Sequence, residues 1–399
     1  MREESLEALA RLAVELGANV QPGQVVALGA DTGQQSFVRA VVAAAYERGA
    51  RYVDVLYFDP YVKRARIAHA PDDALDYVPQ WMRDRILQLG RDRGARISLS
   101  GPTATGLLDD LDEERAGRDQ LPFVRETLSV INDRTTNWTV VPCPTDPWAQ
   151  LVFPELDPAD AYEKLCDQVL HVCRLDEPDP VGAWRERIAA LAGVAARLNE
   201  RGFDALHFDG PGTDLTIGLL PSSVFLTAED RTVDGIVHLA NLPTEEVYAT
   251  PDPARCEGTV RSTKPLVLGD GTIIRGLELR FENGRAVHVD AEQGGGVMRG
   301  RIAFDDGAGR LGEVALVDRE GRIGKLGTTF FDTLLDENAA SHIALGDGFD
   351  DELSEEDKQR RNQSSIHIDF MIGGDDVDVT GITRDGERVP VLREGAWQL

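Results

Sequence analysis

Cysteine is scarce in this 399-residue chain: there are four, Cys143, Cys166, Cys173 and Cys256. None forms a C-x-x-C pair, which argues against a disulfide framework or a thiolate zinc site and marks them as reduced core residues. Long apolar runs are also missing. The longest, such as 40–46, fall far short of the ~18–20 residues a membrane span needs. The N-terminus, MREESLEALARL, passes from charges straight into a helical pattern without the apolar stretch of a signal peptide. A cytoplasmic location is the expectation. Positive charge is in deficit, with 42 Lys and Arg against 69 Asp and Glu and a net charge of −27. Such a surface disfavours phosphate backbones and anionic lipid, so neither nucleic acid nor a membrane is an expected partner, whereas a divalent cation fits. Several signatures are absent: G-x-S-x-G, a cysteine–histidine pairing, H-E-x-x-H, G-x-G-x-x-G and G-x-x-x-x-G-K-[ST]. Nucleophilic catalysis, zincin chemistry and phosphate-loop binding therefore lack support. The glycine-containing stretch 29–33 reads as a plain tight turn.

What is present is an ordinary globular composition, 42% hydrophobic and 28% charged, long enough for two cores. Helical spacing runs over 5–16, 35–48 and 81–88. Strand patterns fall at 25–28, 52–58, 96–100 and 138–141. This β-α-β order implies a parallel sheet with right-handed crossovers, an α/β N-terminal domain over residues 1–195. An amphipathic helix begins near Trp184 and ends near Gly202. Beyond it the pattern changes to short strands, at 205–208, 214–217, 272–281, 286–290 and 313–317, punctuated by the turn dipeptides Asp270-Gly271 and Asn283-Gly284. Residues 196–399 are read as a mostly β (α+β) C-terminal metal-binding domain. The acidic stretch 347–358 reads as a solvated, mobile loop.

Two stretches carry the chemistry. In 364–373 (SSIHIDFMIG) Ile366, Ile368, Phe370 and Ile372 alternate onto one face of a strand, while His367 and Asp369 share the other, within reach of one ion. In 336–346 (DENAASHIALG) the acids Asp336 and Glu337 with Asn338, followed by helix formers and Gly346, read as a short helix holding His342. Imidazole and carboxylate together suit zinc, cobalt or manganese. Further carboxylates are offered by Glu245-Glu246 in NLPTEEVY and by Glu313 at the head of the apolar strand RLGEVALV. Adjacent residues of an extended segment point oppositely, so one of Glu245 and Glu246 enters the cavity, and physics alone leaves both open. His207 and His238 lie in alternating strand patterns and read as structural. His69, His171 and His288 have no acidic or histidine partner at a telling spacing.

The chain resembles the aminopeptidase T family, the thermophilic-aminopeptidase-like dimetal exopeptidases. The resemblance lies in NLPTEEVYATPDP, CEGTVRSTKPL, RLGEVALV, FFDTLLDENAASHIALG and NQSSIHIDFMIG, in that order, and more loosely in LGANVQPGQVVALGA, YERGARYVDVLYFDP and WTVVPCPTDPWAQLVFP. It implies a metal-dependent aminopeptidase acting on peptides with a free N-terminus, a homodimer, and two divalent ions held by Glu246, Glu313, His342, His367 and Asp369. Two such ions, roughly 3.5–4 Å apart, share a water and lower its pKa toward 7, giving hydroxide for attack on the peptide carbonyl. Glu313 is the candidate to bridge them and orient the water. The family places a tyrosine seven residues after the histidine, on the same face if that stretch is helical; here the position is Phe349. Loss of one such hydroxyl donor costs on the order of 10²-fold in rate. Two other readings compete. One is a dimetal phosphoesterase, weakened by scarce lysine and the absence of an arginine clamp. The other is a metal-stabilised binding protein of reduced activity, for which Phe349 speaks.

Overall fold

The computed structural model of the chain describes residues 1–119, 121–350 and 352–399. The N-terminal region forms the expected parallel sheet. Its strands Val25–Asp31, Tyr52–Phe58, Ala95–Ser100 and Asn137–Pro142 are ordered 2-1-3-4, and every neighbouring pair runs parallel. Helices Gln35–Glu47 and Gln80–Arg91 are crossover helices of this sheet, and helix Glu3–Leu12 runs on into a π-turn that ends at Gly17. The core under the sheet is not confined to the N-terminal half: Leu239, Leu242, Ile323 and Phe330 pack into it.

The C-terminal region is antiparallel. An eight-stranded sheet is assembled largely from hairpins, with Asn283 and Gly284 both at positive φ in the turn between Glu278–Glu282 and Arg285–Asp290. A five-stranded sheet is ordered His367–Met371, His342–Gly346, Leu311–Val317, Glu246–Ala249, Leu226–Thr227. Helix Pro180–Arg201, with Asp179 capping its first turn and Gly202 in the left-handed conformation at its end, supplies Leu191, Val194 and Leu198 to the same core.

Three sequence expectations are corrected. Residues 336–346 are not a helix. The helix is Thr333–Glu337, capped by Asp332, and it ends where one was expected to begin; His342–Gly346 is a strand. All five strand residues are buried, because the strand lies between two neighbours and its second face is covered. A short apolar run buried on both sides carries no period that separates strand from helix. The acidic stretch 347–358 is likewise not a solvated loop throughout. Ser354 caps helix Glu355–Arg360, and Asp357 is buried where its carboxylate accepts from the backbone and hydroxyl of Ser222. Asp351 of that stretch lies outside the described residues. The expected strand 272–281 is two strands, Ile273–Ile274 and Glu278–Glu282. All four cysteines are free and buried, and no described helix is long and apolar enough to cross a membrane.

Candidate metal centre

All five residues singled out in the sequence stand on the five-stranded sheet, and its register explains why they meet. Glu313 lies opposite Ala344, which lies opposite Asp369; His342 lies opposite Ala315; His367 lies opposite Gly346; Glu246 lies opposite Val317. Directly paired residues of antiparallel strands share a face. The alternate residues, Val247, Val314, Leu316, Ile343, Leu345, Ile368 and Phe370, go to the apolar core. One face is therefore greasy and the other carries donors, with Ala315, Ala344 and Gly346 leaving a hollow between them. Gly346 has no substitute: its φ is +109°, and a Cβ there would stand 2.1 Å from the carbonyl oxygen of Ile366.

In that hollow Glu313 spans the two imidazoles. Its Oε1 lies 3.9 Å from His342 Nε2 and its Oε2 lies 3.2 Å from His367 Nε2. Glu246 Oε2 is 3.2 Å from His342 Nε2, and Asp369 Oδ1 is 3.2 Å from His367 Nε2. The remaining nitrogen of each ring is fixed by the backbone. Nδ1 of His342 donates to the carbonyl of Glu337 at 3.0 Å, and Nδ1 of His367 donates to that of Asp347 at 2.9 Å. A carbonyl only accepts, so Nδ1 carries the proton and each Nε2 is turned into the cluster, the tautomer a metal-ligating histidine needs.

The sequence reading missed a fourth carboxylate. Glu337, the last residue of helix Thr333–Glu337, offers an oxygen within 4.8 Å of donor atoms of His342 and Asp369. An acid at a helix C-terminus opposes the helix dipole, and that is the signal that could have singled it out. Asn241 was also missed: its amide donates to Glu337 Oε1 at 3.0 Å and Glu246 Oε1 at 3.4 Å. Glu245 points the other way, to Arg174 at 2.8 Å and Arg187 at 2.5 Å, with its backbone N–H on Asn338 Oδ1. Phe349 does reach the site, its ring centroid 5.3 Å from that of His367 and 5.3 Å from that of Tyr248. It does so from an irregular segment after the strand and not from a second helical turn. Of the other histidines, His207 is 3.0 Å from Asp214, and His171, expected to lack an acidic partner, is 2.7 Å from Asp176.

Electrostatically the cluster is a concentration of negative charge. No described Lys or Arg forms an ion pair with Glu246, Glu313, Glu337 or Asp369. Burial pushes the carboxyl of Glu337 well above its ordinary range, helped by Asp369 and Glu246, and burial raises Glu313 as well. Burial opposes charge on His342, but Glu246, Glu337 and Glu313 outweigh it and lift the imidazole pKa to about 10. His367 is raised in the same way, its burial outweighed by Asp369 and Glu313. Four carboxylates with two neutral imidazoles amount to −4, the charge that two dications balance, and nitrogen with oxygen donors is the set that zinc, cobalt and manganese accept. The residues present fit a divalent-metal pair.

Fold and donor set thus define a cluster on an antiparallel sheet of the kind that suits divalent metal, and comparison with known proteins narrows the class to a metal-dependent peptide hydrolase. Residues 2–397 match the family described as thermophilic metalloprotease (M29), and the chain belongs to that family. It is 43% identical over 403 residues to aminopeptidase T of Thermus aquaticus, covering 99% of this chain and 98% of the relative. It is 37% identical over 405 residues to aminopeptidase AmpS of Bacillus subtilis (strain 168), with the same shares of each chain covered. Among solved structures, wild-type AmpT from Thermus thermophilus matches with a TM-score of 0.85 at 40% identity, covering 99% of both chains. The resemblance drawn from the sequence blocks is thereby established.

Proposed function

We propose that the chain is an aminopeptidase that releases N-terminal residues from peptides, with two divalent ions held by Glu246, Glu313, Glu337, His342, His367 and Asp369. The observation that carries this reading is the span of Glu313, one oxygen toward each imidazole, in a buried cluster whose carboxylates pair with no described Lys or Arg. The relatives' names, all aminopeptidases, support the same activity. When bound, the ions supply an acidified water and a Lewis acid for the peptide carbonyl.

The protein's own residues do the rest. His342 and His367, locked by the carbonyls of Glu337 and Asp347, keep their Nε2 lone pairs available without reorganisation. Glu313 accepts a hydrogen bond from the attacking water and so fixes its approach. A free substrate amine would suit a donor position at the loaded cluster, which an internal peptide bond cannot offer, and this supports exopeptidase action. No described Lys or Arg pairs with the cluster's carboxylates to offer a phosphate a cationic clamp, which weighs against the phosphoesterase reading. Phe349 lies against His367 but has no hydroxyl to offer an oxyanion, so turnover is lower than a phenol there would allow, on the order of 10²-fold.

We also propose a homodimer. The edge strand Tyr52–Phe58 exposes Tyr52, Leu56 and Tyr57, and Tyr61, Val62 and Trp81 follow it, also exposed. An open edge with apolar side chains is a surface a second copy would cover. The test of the activity is release of p-nitroaniline from leucine p-nitroanilide with added cobalt or zinc, abolished by a chelator. Silence there, with turnover of p-nitrophenyl phosphate, would overturn it.

A further inference from the structure

A cavity of about 250 Å³ opens beside the donor cluster and shares His367 and Asp369 with it. The apolar part of its wall comes from two stretches of the chain: Leu121 and Phe123 from the N-terminal half, and Leu266 and Leu268 just before the Asp270-Gly271 turn. Asp270 and Arg301 also line it, and they belong to a buried ion-pair group. Asp270 Oδ2 takes Lys63 Nζ and Arg301 Nη2, each at 3.0 Å, and all three side chains are almost wholly buried. Lys63 is further held by the carbonyls of Asp119 and Leu121, which anchors the Leu121 wall to the ion pair.

We infer that this cavity receives the side chain of the substrate's first residue and selects a large unbranched or γ-branched apolar one, leucine, methionine or norleucine, over alanine and over lysine. The inference rests on the aminopeptidase reading. If the substrate amine is held at the cluster, the first side chain leaves the backbone one carbon away, where the cavity shares His367 and Asp369. The volume equals that of about eight waters at ~30 Å³ each, enough for one side chain and too little for a folded ligand. The apolar walls favour carbon, each methylene being worth roughly 10-fold or more in kcat/KM. A lysine ammonium would have no free acceptor there: of the two lining carboxylates Asp270 already holds Lys63 and Arg301 and Asp369 belongs to the donor cluster, and burying an unpaired charge is costly.

The test compares kcat/KM of wild type for norleucine, lysine, leucine and alanine p-nitroanilides. Norleucine and lysine have nearly the same length and differ in the terminal charge. The expected result is leucine above alanine by at least 10-fold and norleucine above lysine by at least 100-fold. Two variants move the walls. Phe123→Ala removes a half-buried wall, and Gly269→Leu adds carbon at the rim, where a Cβ meets no atom within 4 Å. In each the leucine-to-alanine ratio should fall at least 10-fold. A ratio unchanged in both variants, lysine matching norleucine, or a preference that follows the second residue of dipeptides would overturn the inference. If wild type hydrolyses none of these substrates, the aminopeptidase reading itself falls. The cavity is then judged by thermal shift: free L-norleucine should raise the melting temperature of the metal-loaded protein, L-lysine should not, and Phe123→Ala should lose the effect. No shift with norleucine would overturn it.

Discussion

Glu313 presents one oxygen to each imidazole. Replacing it with glutamine keeps the shape and removes the negative charge that would join two ions. Glu313→Gln and His367→Ala should each lower kcat by at least 10²-fold while far-ultraviolet circular dichroism stays unchanged; an active Glu313→Gln enzyme would contradict the assigned role. Glu337 is the second check at this scale. Glu337→Gln should weaken metal binding about 10-fold or more, measured by titration calorimetry, because it deletes one of four charges. Part of the candidate site was legible from simple geometry, while the choice of Glu246 and its grouping with Glu313 and His342 came from the family resemblance. Alternation alone put His367 and Asp369 together, and the opposed directions of Glu245 and Glu246 limited the choice to one. Glu337 was not legible in that way, since an acid beside Asp336 and Asn338 reads as helix capping until the helix is seen to end there.

At the scale of elements, the His342 strand shows where local pattern runs out. His342, Ile343, Ala344 and Leu345 are a run that suits a helix or a fully covered strand equally well, and only the neighbours Leu311–Val317 and His367–Met371 decide it. The parallel sheet was readable for the opposite reason: its first two strands follow the Pro22-Gly23 and Gly49 turns, and helical periods at 35–48 and 81–88 separate the first three. Helix Pro158–Val172 went unread although Asp157 and Pro158 are a standard opening, an N-cap position followed by proline at the first turn. Gly346 tests the sheet packing around the site. Gly346→Ala should cost on the order of 3 kcal/mol from backbone strain and the clash with Ile366, seen in urea denaturation. It should also displace His367, its register partner. Removing the Ser354 cap with Ser354→Ala should cost about 1 kcal/mol and leave activity intact.

For the whole molecule the dominant quantity is charge. With a net charge of −27, the chain gathers four carboxylates where no described lysine or arginine reaches them. In the absence of bound cations His342 holds a proton up to about pH 10, and Glu313 and Glu337 are also raised. The folded state then binds more protons than the unfolded one. Stability from these groups is present in full below the unfolded values and is lost as pH rises through the folded ones. Chelator-stripped protein should therefore lose melting temperature between pH 7 and 10, whereas metal-loaded protein should not follow that trend. Metal must displace the imidazole protons, so loading at pH 7 should release protons, visible as a dependence of the calorimetric heat on buffer ionisation enthalpy. In solution the mass should be twice the 43.6 kDa of one chain, read by light scattering.

The number of ions retained is the most direct measure of the cluster. Chelator-stripped protein titrated with zinc or cobalt, followed by elemental analysis after gel filtration, should retain two ions per chain, and Glu313→Gln should lose at least one of them. Retention of fewer than one ion per chain by wild type, or two ions bound equally well without the Glu313 carboxylate, would contradict the proposed two-ion site.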